Sequence, residues 1–175
     1  MYKYLLSDFH GTIVDSNTAW ITAYKNLGAE NIKDITQRVF KKEHRKLIAQ
    51  DYLLDYDAVV TEYRKNLHIR KEVVALIQTL PGFDNIIIVS NAGKDKLLKD
   101  IEQVKPELNL NICAVYGKED GRKNDQSIFE NILKKHDIEA AYMIGNDIRE
   151  DFCKLDNIIN IFVPYKNTLI FNDKL

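Results

Sequence analysis

A chain of 175 residues is long enough to bury a sizeable core as one domain, or as one domain carrying an insertion. Its composition, 45% hydrophobic and 29% charged with 3 Pro and 7 Gly, excludes a disordered or fibrous chain. The 25 basic and 26 acidic residues leave a formal charge of -1, too little positive field to hold a nucleic-acid backbone or an anionic membrane as an obligate partner.

The first apolar run, Tyr4 to Leu6, stops at Asp8-Phe9-His10-Gly11-Thr12. Interrupted by Lys3 and Asp8, it lacks the apolar stretch of a secretory signal, and no run approaches the ~20 residues of a membrane span. A cytoplasmic protein is expected. From Asn17 to His68 no strand pattern occurs, but helical periods cover Ala19–Leu27, Ile35–Ala49 and Tyr56–Lys65. About fifty residues of helix exceed a simple connection, so 17–68 reads as an inserted helical cap and 1–16 with 69–175 as the core domain. Within the cap, Trp20 and Tyr24 stand four apart as core residues. The basic cluster Arg38, Lys41, Lys42, Arg45 and Lys46 reads either as a solvated helix face or as a greeting for an anionic substrate.

Beyond it, Arg70 to Leu80 forms a sheet-packing helix ended by Pro81-Gly82. Apolar runs then recur at Asn85–Val89, Ile112–Tyr116, Ala141–Ile144 and Ile158–Val163. Between them lie amphipathic helices: Lys94–Val104 with Leu97, Leu98, Ile101 and Val104 on its stripe, and Ser127–His136 with Ile128, Phe129, Ile132 and Leu133. The alternation predicts an α/β fold, a doubly wound parallel sheet covered by helices. Cys113 and Cys153 sit in apolar surroundings without C-x-x-C spacing and are expected as buried thiols. His44, His68 and His136 show no metal-ligand spacing, and no patch signals an obligate protein partner.

Ligands of an open parallel sheet bind beyond the carboxyl ends of its strands, and here those ends are polar. They carry Asp8 to Thr12, Ser90-Asn91-Ala92-Gly93, and Gly145-Asn146-Asp147 followed by Asp151, while Lys123 precedes the helix leading to the fourth strand. Phosphoryl transfer needs a nucleophile, a divalent cation, donors for the phosphate oxygens and a fixed positive charge. Asp8 can be the nucleophile, and Asp8 with Asp147 can share a Mg²⁺, which takes oxygen ligands and keeps waters. Asp151, one helical turn after Asp147, is a second acidic partner of that metal, direct or through water. The Ser90 hydroxyl with the amides of Asn91 and Ala92 offers phosphate donors. Lys123, in competition with Lys118 and Arg122, offers the charge.

In order and spacing these segments resemble the haloacid dehalogenase (HAD) superfamily: D-x-D-G-T after an apolar strand, Ser or Thr after a second, a Lys before a helix, and an acidic G-N-D-x-x-x-D ending. The resemblance spans essentially the whole chain and includes the position of the helical cap. It implies an aspartyl-phosphate on Asp8 that water hydrolyses, and a Mg²⁺ held by Asp8, the main-chain carbonyl of His10 and Asp147. Thr12 falls at the Thr of the first motif, where it is counted among the substrate-binding residues.

The chain departs from that pattern at His10, where the family carries the Asp that acts as general acid and base. Such a group is worth roughly 10²–10⁴-fold in rate. An unperturbed imidazole can do the work, roughly a quarter of it being protonated at neutral pH. Three readings are open: a Mg²⁺-dependent phosphatase of a small phosphorylated metabolite with His10 as acid-base, a hydrolytically slow metal- and phosphate-binding regulatory protein, or another HAD chemistry such as phosphoryl transfer, phosphonate cleavage or dehalogenation.

Overall fold

The computed structural model describes residues 3–165. In chain order the elements are β1 (Tyr4–Ser7), α1 (Ser16–Asn26), α2 (Ile32–Phe40), α3 (Arg45–Asp51), α4 (Tyr56–Lys65), α5 (Lys71–Thr79) and β2 (Asn85–Val89). They continue with α6 (Lys94–Leu108), β3 (Ile112–Tyr116), α7 (Ser127–His136), β4 (Ala141–Gly145), α8 (Ile148–Asp151) and β5 (Ile158–Phe162). The chain divides into two compact units, one running up to Val14 and again from Ile69 onward, the other Asp15–His68.

The helical unit is bounded by side-chain caps, since the Asp15, Asn31 and Asp55 carboxylate or amide oxygens accept the amides of Thr18, Asp34 and Ala58, satisfying donors that a helix start leaves free. The single helix expected over Ile35–Ala49 is instead α2 and α3. The break falls after Phe40, where Lys42 takes a left-handed φ of 58° and the Arg38 guanidinium bonds forward to Glu43 and Asp51. Trp20 stacks on Tyr63 at 4.1 Å between ring centroids, and the Tyr24 hydroxyl donates to the Arg45 carbonyl at 2.7 Å. Both rings are buried. Arg45 donates to the Val39 and Glu43 carbonyls, so Arg38 and Arg45 hold the helical unit together.

In the other unit five parallel strands are ordered β3-β2-β1-β4-β5. Their apolar runs bury on both faces, as parallel strands under helices must. Leu6, Ile87, Val89, Phe129, Ile132 and Met143 are at most 1% exposed, each contributing ~1.5–3 kcal/mol by burial. The chain builds outward from β1 to β2 and β3, then crosses to β4 and β5, so the order reverses beside β1. Ser7 pairs with Ile88 on one side and Ile144 on the other, which sets the ends of β1, β2 and β4 level at that switch point.

Two apolar assignments fail for physical reasons. Cys113 is exposed because β3 is an edge strand with one side turned to water, whereas Cys153 is 1% exposed within the core. Leu98 is 46% exposed, and the buried stripe of α6 is Leu97, Asp100, Ile101, Val104 and Leu108: the 3.6-residue period places Asp100, not Leu98, against the sheet. Among the described residues no helix is long and apolar enough to cross a membrane.

Candidate active site

At the end of β1 the chain turns tightly. The Gly11 amide donates to the Val14 carbonyl, the Thr12 and Val14 amides to Phe9, and Gly11 has φ +88° with Tyr165 and Asn146 packed where a Cβ would stand. Only glycine meets both conditions readily. The turn brings the Thr12 hydroxyl back to donate to Asp8 Oδ2 at 3.0 Å and sets it 3.2 Å from Asn146 Oδ1. Asp8 itself, 6% exposed, is tied to β4 through its amide on the Ile144 carbonyl.

Lys123, 1% exposed, places Nζ 2.5 Å from Asp8 Oδ1 and 2.8 Å from Asp151 Oδ1. Of the three candidates for the fixed charge, Lys123 is the buried one in contact with Asp8, whereas Lys118 and Arg122 are exposed. Burial opposes the Lys123 charge, but the two carboxylates outweigh it and raise its pKa. Burial drives the Asp8 pKa up to about 6 against the pull of Lys123, with Asp151 adding to the rise. At neutral pH Asp8 is still largely ionised.

Asp151 is engaged on both oxygens. Oδ1 faces Lys123, and Oδ2 accepts the amides of Asn146 and Asp147 at 2.9 Å each. It therefore braces Lys123 and the loop after β4. The bracing requires Gly145, since a Cβ there would stand 2.2 Å from Asp151 Cβ. Asp147 caps α8 through the Arg149 amide and pairs with the Arg149 guanidinium at 3.2 Å.

Ser90, 3% exposed, ends β2 with its hydroxyl oxygen accepting the Ala92 amide at 3.1 Å. The Ala92 amide expected to face a phosphate thus donates to Ser90 Oγ, while the Ser90 hydroxyl keeps its own hydrogen to donate. The Asn91 side chain is exposed and donates to Glu150.

His10 holds the feature that the strand ends do not announce. Its Nε2 stands 2.9 Å from Asp100 Oδ2, and Lys96 Nζ reaches the same oxygen at 2.5 Å. Lys96 Nζ, a donor only, also stands 3.3 Å from Nε2, but the shorter 2.9 Å contact to Asp100, an acceptor only, assigns the proton to Nε2 and the lone pair to Nδ1. Burial opposes the Asp100 charge, but the bonds from His10 and Lys96 hold its pKa well below the carboxylate range. Burial, with the charges of Lys96 and Lys123, brings His10 down to about 4 despite Asp100. The imidazole is neutral at pH 7. The signal for Asp100 was its phase with Leu97 and Val104 on α6.

A second residue missed from sequence is Arg70, 7% exposed. Its guanidinium donates to the carbonyls of Gly11, Val163 and Pro164 and lies over the Tyr165 ring at 5.0 Å, clamping the turn that carries Thr12.

The cluster of Asp8, Lys123 and Asp151 has one more carboxylate than cation, with Asp147 on the adjoining loop. Among the described residues no three His, Cys, Asp or Glu side chains converge as a metal-binding group. The donors present fit a hard cation that completes its shell with main-chain oxygen and water, as Mg²⁺ does. They do not fit a soft metal.

No protein-family model matches the chain. Solved structures similar to it are an L-2-haloacid dehalogenase (TM-score 0.67, 11% identity, 94% of this chain and 85% of that one) and a HAD phosphatase from Thermococcus onnurineus (0.61, 17%, 94% and 87%). A third is a HAD hydrolase from Bacillus subtilis bound to magnesium (0.60, 16%, 93% and 88%). A curated relative, mitochondrial monofunctional C1-tetrahydrofolate synthase of Mus musculus, is 29% identical over 106 residues, 59% of this chain. The chain spans about 10% of that relative's length. At these identities the likeness is one of fold, and the chain has the haloacid dehalogenase fold.

Proposed function

We propose that the protein is a Mg²⁺-dependent hydrolase of phosphate monoesters acting through Asp8. The observation that carries this reading is the buried Lys123 between Asp8 and Asp151, at 2.5 and 2.8 Å, at the switch point of a parallel sheet. There a fixed cation and a carboxylate nucleophile are held together out of water, where such charges act most strongly.

In this reading the Asp8 carboxylate attacks phosphorus, an Asp8 O–P bond forms as the ester P–O bond breaks, and the alcohol leaves as its oxyanion and takes a proton from solvent water. Water then attacks phosphorus, releasing inorganic phosphate and restoring the carboxylate. Lys123 and the hydroxyl of Ser90 donate to the phosphoryl oxygens as charge builds, while Thr12 orients Asp8. His10, neutral and with Nε2–H held by Asp100, offers Nδ1 to take the proton from the attacking water. Asp8, Asp147 and the His10 carbonyl would hold Mg²⁺, which supplies neutralising charge to the phosphate. All these residues lie in the sheet-bearing unit. The substrate in this reading is a small phosphorylated metabolite of the cytoplasm.

The excess of carboxylates favours phosphorus over a haloalkanoate, because displacement of halide from carbon needs no divalent metal beside the nucleophile. The test is phosphate release from a panel of monoesters by wild type and Asp8→Asn, with and without Mg²⁺. Metal-dependent release that falls at least ~10³-fold in the variant is expected, since the covalent route is lost. Release that survives Asp8→Asn, or halide release from 2-haloacids in place of phosphate release, overturns the reading.

A further inference from the structure

We infer that a recess beside the phosphoryl site binds a second anionic group of the substrate, so that the ester cleaved carries a carboxylate or another phosphate on its alcohol part. The inference rests on the phosphatase reading for the role of Asp8, but the recess is a separate observation. It has a volume of about 530 Å³ and is lined by Asn91, Lys118, Glu119, Arg122 and Asn124, a size suited to a small ligand.

Its position is set by the chain. Asn91 adjoins Ser90 at the end of β2, Lys118 and Glu119 lie in a 3-10 turn after β3, and Arg122 and Asn124 flank Lys123. One wall is therefore continuous with the residue that touches Asp8. The walls are locked to each other: the Lys118 amide donates to the Ala92 carbonyl at 3.0 Å and the Lys94 amide to Glu119 Oε2 at 3.0 Å. Gly117 has no room for a Cβ, which would stand 2.9 Å from the Ala92 carbonyl oxygen.

Charge identifies the ligand. Along this edge of the sheet Lys94 pairs with Asp120, Lys96 with Asp100, Lys123 with Asp8 and Asp151, and Arg149 with Asp147. Lys118 and Arg122 have no ion pair to a carboxylate among the described residues. Of the neighbouring acids, Glu119 is engaged by the Lys94 amide, and Asp125, whose pKa Arg122 helps to lower, accepts the amide and hydroxyl of Ser127. On the recess wall Lys118 and Arg122 face the single carboxylate of Glu119, which leaves an excess of positive charge, and the Arg122 guanidinium suits the planar fork of a carboxylate or phosphate; this favours an anion over a neutral sugar or alkyl group.

The experiment compares matched pairs: 3-phosphoglycerate with glycerol 3-phosphate for a carboxylate, and fructose 1,6-bisphosphate with fructose 6-phosphate for a second phosphate. Binding is measured by calorimetry on wild type without divalent metal and on Asp8→Asn, and kcat/KM on wild type with Mg²⁺. At least one doubly anionic member should be preferred about 10-fold or more. Lys118→Gln and Arg122→Gln should each collapse that ratio, mainly through KM. Whichever pair shows the preference identifies the anion. Equal affinity within both pairs, absence of binding by all four compounds, or a preference untouched by both substitutions overturns the inference. Turnover without preference would sink the recess and leave the phosphatase standing. Preferential binding lost in the variants, with no turnover of any ester, would do the reverse.

Discussion

His10 Nε2 stands 2.9 Å from Asp100 Oδ2, with Asp100 fully buried on a helix stripe that is otherwise apolar. A carboxylate in that place costs stability unless it is bonded, and the imidazole and Lys96 are among its partners. It fixes which ring nitrogen carries the proton. Asp100→Asn should lower turnover of p-nitrophenyl phosphate about 10- to 100-fold, the loss usual when an orienting partner of a histidine is removed. In a His10→Asn background the same change should do nothing further. A double-mutant cycle on kcat, alongside thermal melts, measures this coupling. Independent losses that multiply would show that Asp100 serves the fold and not the ring.

With its pKa brought to about 4, His10 has no proton to give at pH 7. The first half of the reaction then depends on how readily the alcohol leaves unaided. Wild type should hydrolyse aryl phosphates far faster than alkyl phosphates. In His10→Asp a shorter carboxylate would stand near that of Asp100, which bonds to the imidazole in the wild type, and like charges held close keep one of them protonated. That acid should raise alkyl phosphate turnover and shrink the aryl to alkyl ratio of kcat/KM by roughly tenfold or more. A ratio that grows in His10→Asp would mean the imidazole already delivers a proton.

Stability against pH carries the same two groups with opposite signs. His10 falls from 6.5 to about 4 on folding, so its contribution is present above pH 6.5 and is lost as pH falls through 4. Asp8 rises from 3.8 to about 6, so its contribution is present below 3.8 and is lost as pH rises through 6. Each is worth about 3 kcal/mol at most, and the two nearly cancel. Metal-free wild type should therefore melt at almost the same temperature from pH 4.5 to 6.5. His10→Asn should gain stability as pH falls across that window, and Asp8→Asn should lose it. Parallel curves for the three proteins would show that neither group is shifted.

The parallel sheet and the polar strand ends were legible because both depend on local pattern: apolar runs mark buried strands, and the residues just past each run must lie at the carboxyl edge. Asp8, Thr12, Lys123 and Asp151 meet there through hydrogen bonds. Asp100 was hidden by the usual meaning of a carboxylate on an amphipathic helix, an exposed face, although its phase with Leu97 and Val104 argued otherwise. Arg70 was hidden because its partners at Gly11, Val163 and Pro164 are distant in the chain. The break between α2 and α3 was hidden because Lys42, not Gly or Pro, takes the left-handed conformation.

Lys123 shares its charge between two buried carboxylates, so removing it strands both. Lys123→Met should cost about 3–5 kcal/mol in chemical denaturation and abolish turnover. Adding Asp151→Asn should restore part of the stability, because one stranded charge goes with it, but no activity. Recovery of activity in the double variant would show that Lys123 acts only by neutralising Asp151.

Arg70 is the last residue whose loss separates fold from chemistry. Its guanidinium satisfies the carbonyls of Gly11, Val163 and Pro164, and a buried acceptor left without a donor costs about 1–3 kcal/mol. Arg70→Met keeps the length and the contact with Tyr165 but removes every donor. It should lower stability by about 3 kcal/mol on that scale and lower kcat as well, because the Gly11 carbonyl anchors the turn that presents Thr12 to Asp8 at 3.0 Å. Arg70→Lys should restore part of the stability through one donor and leave kcat low, since a single ammonium cannot span both segments. Denaturant midpoints read together with kcat on p-nitrophenyl phosphate decide it. Wild-type kcat in a destabilised Arg70→Met would confine Arg70 to the fold.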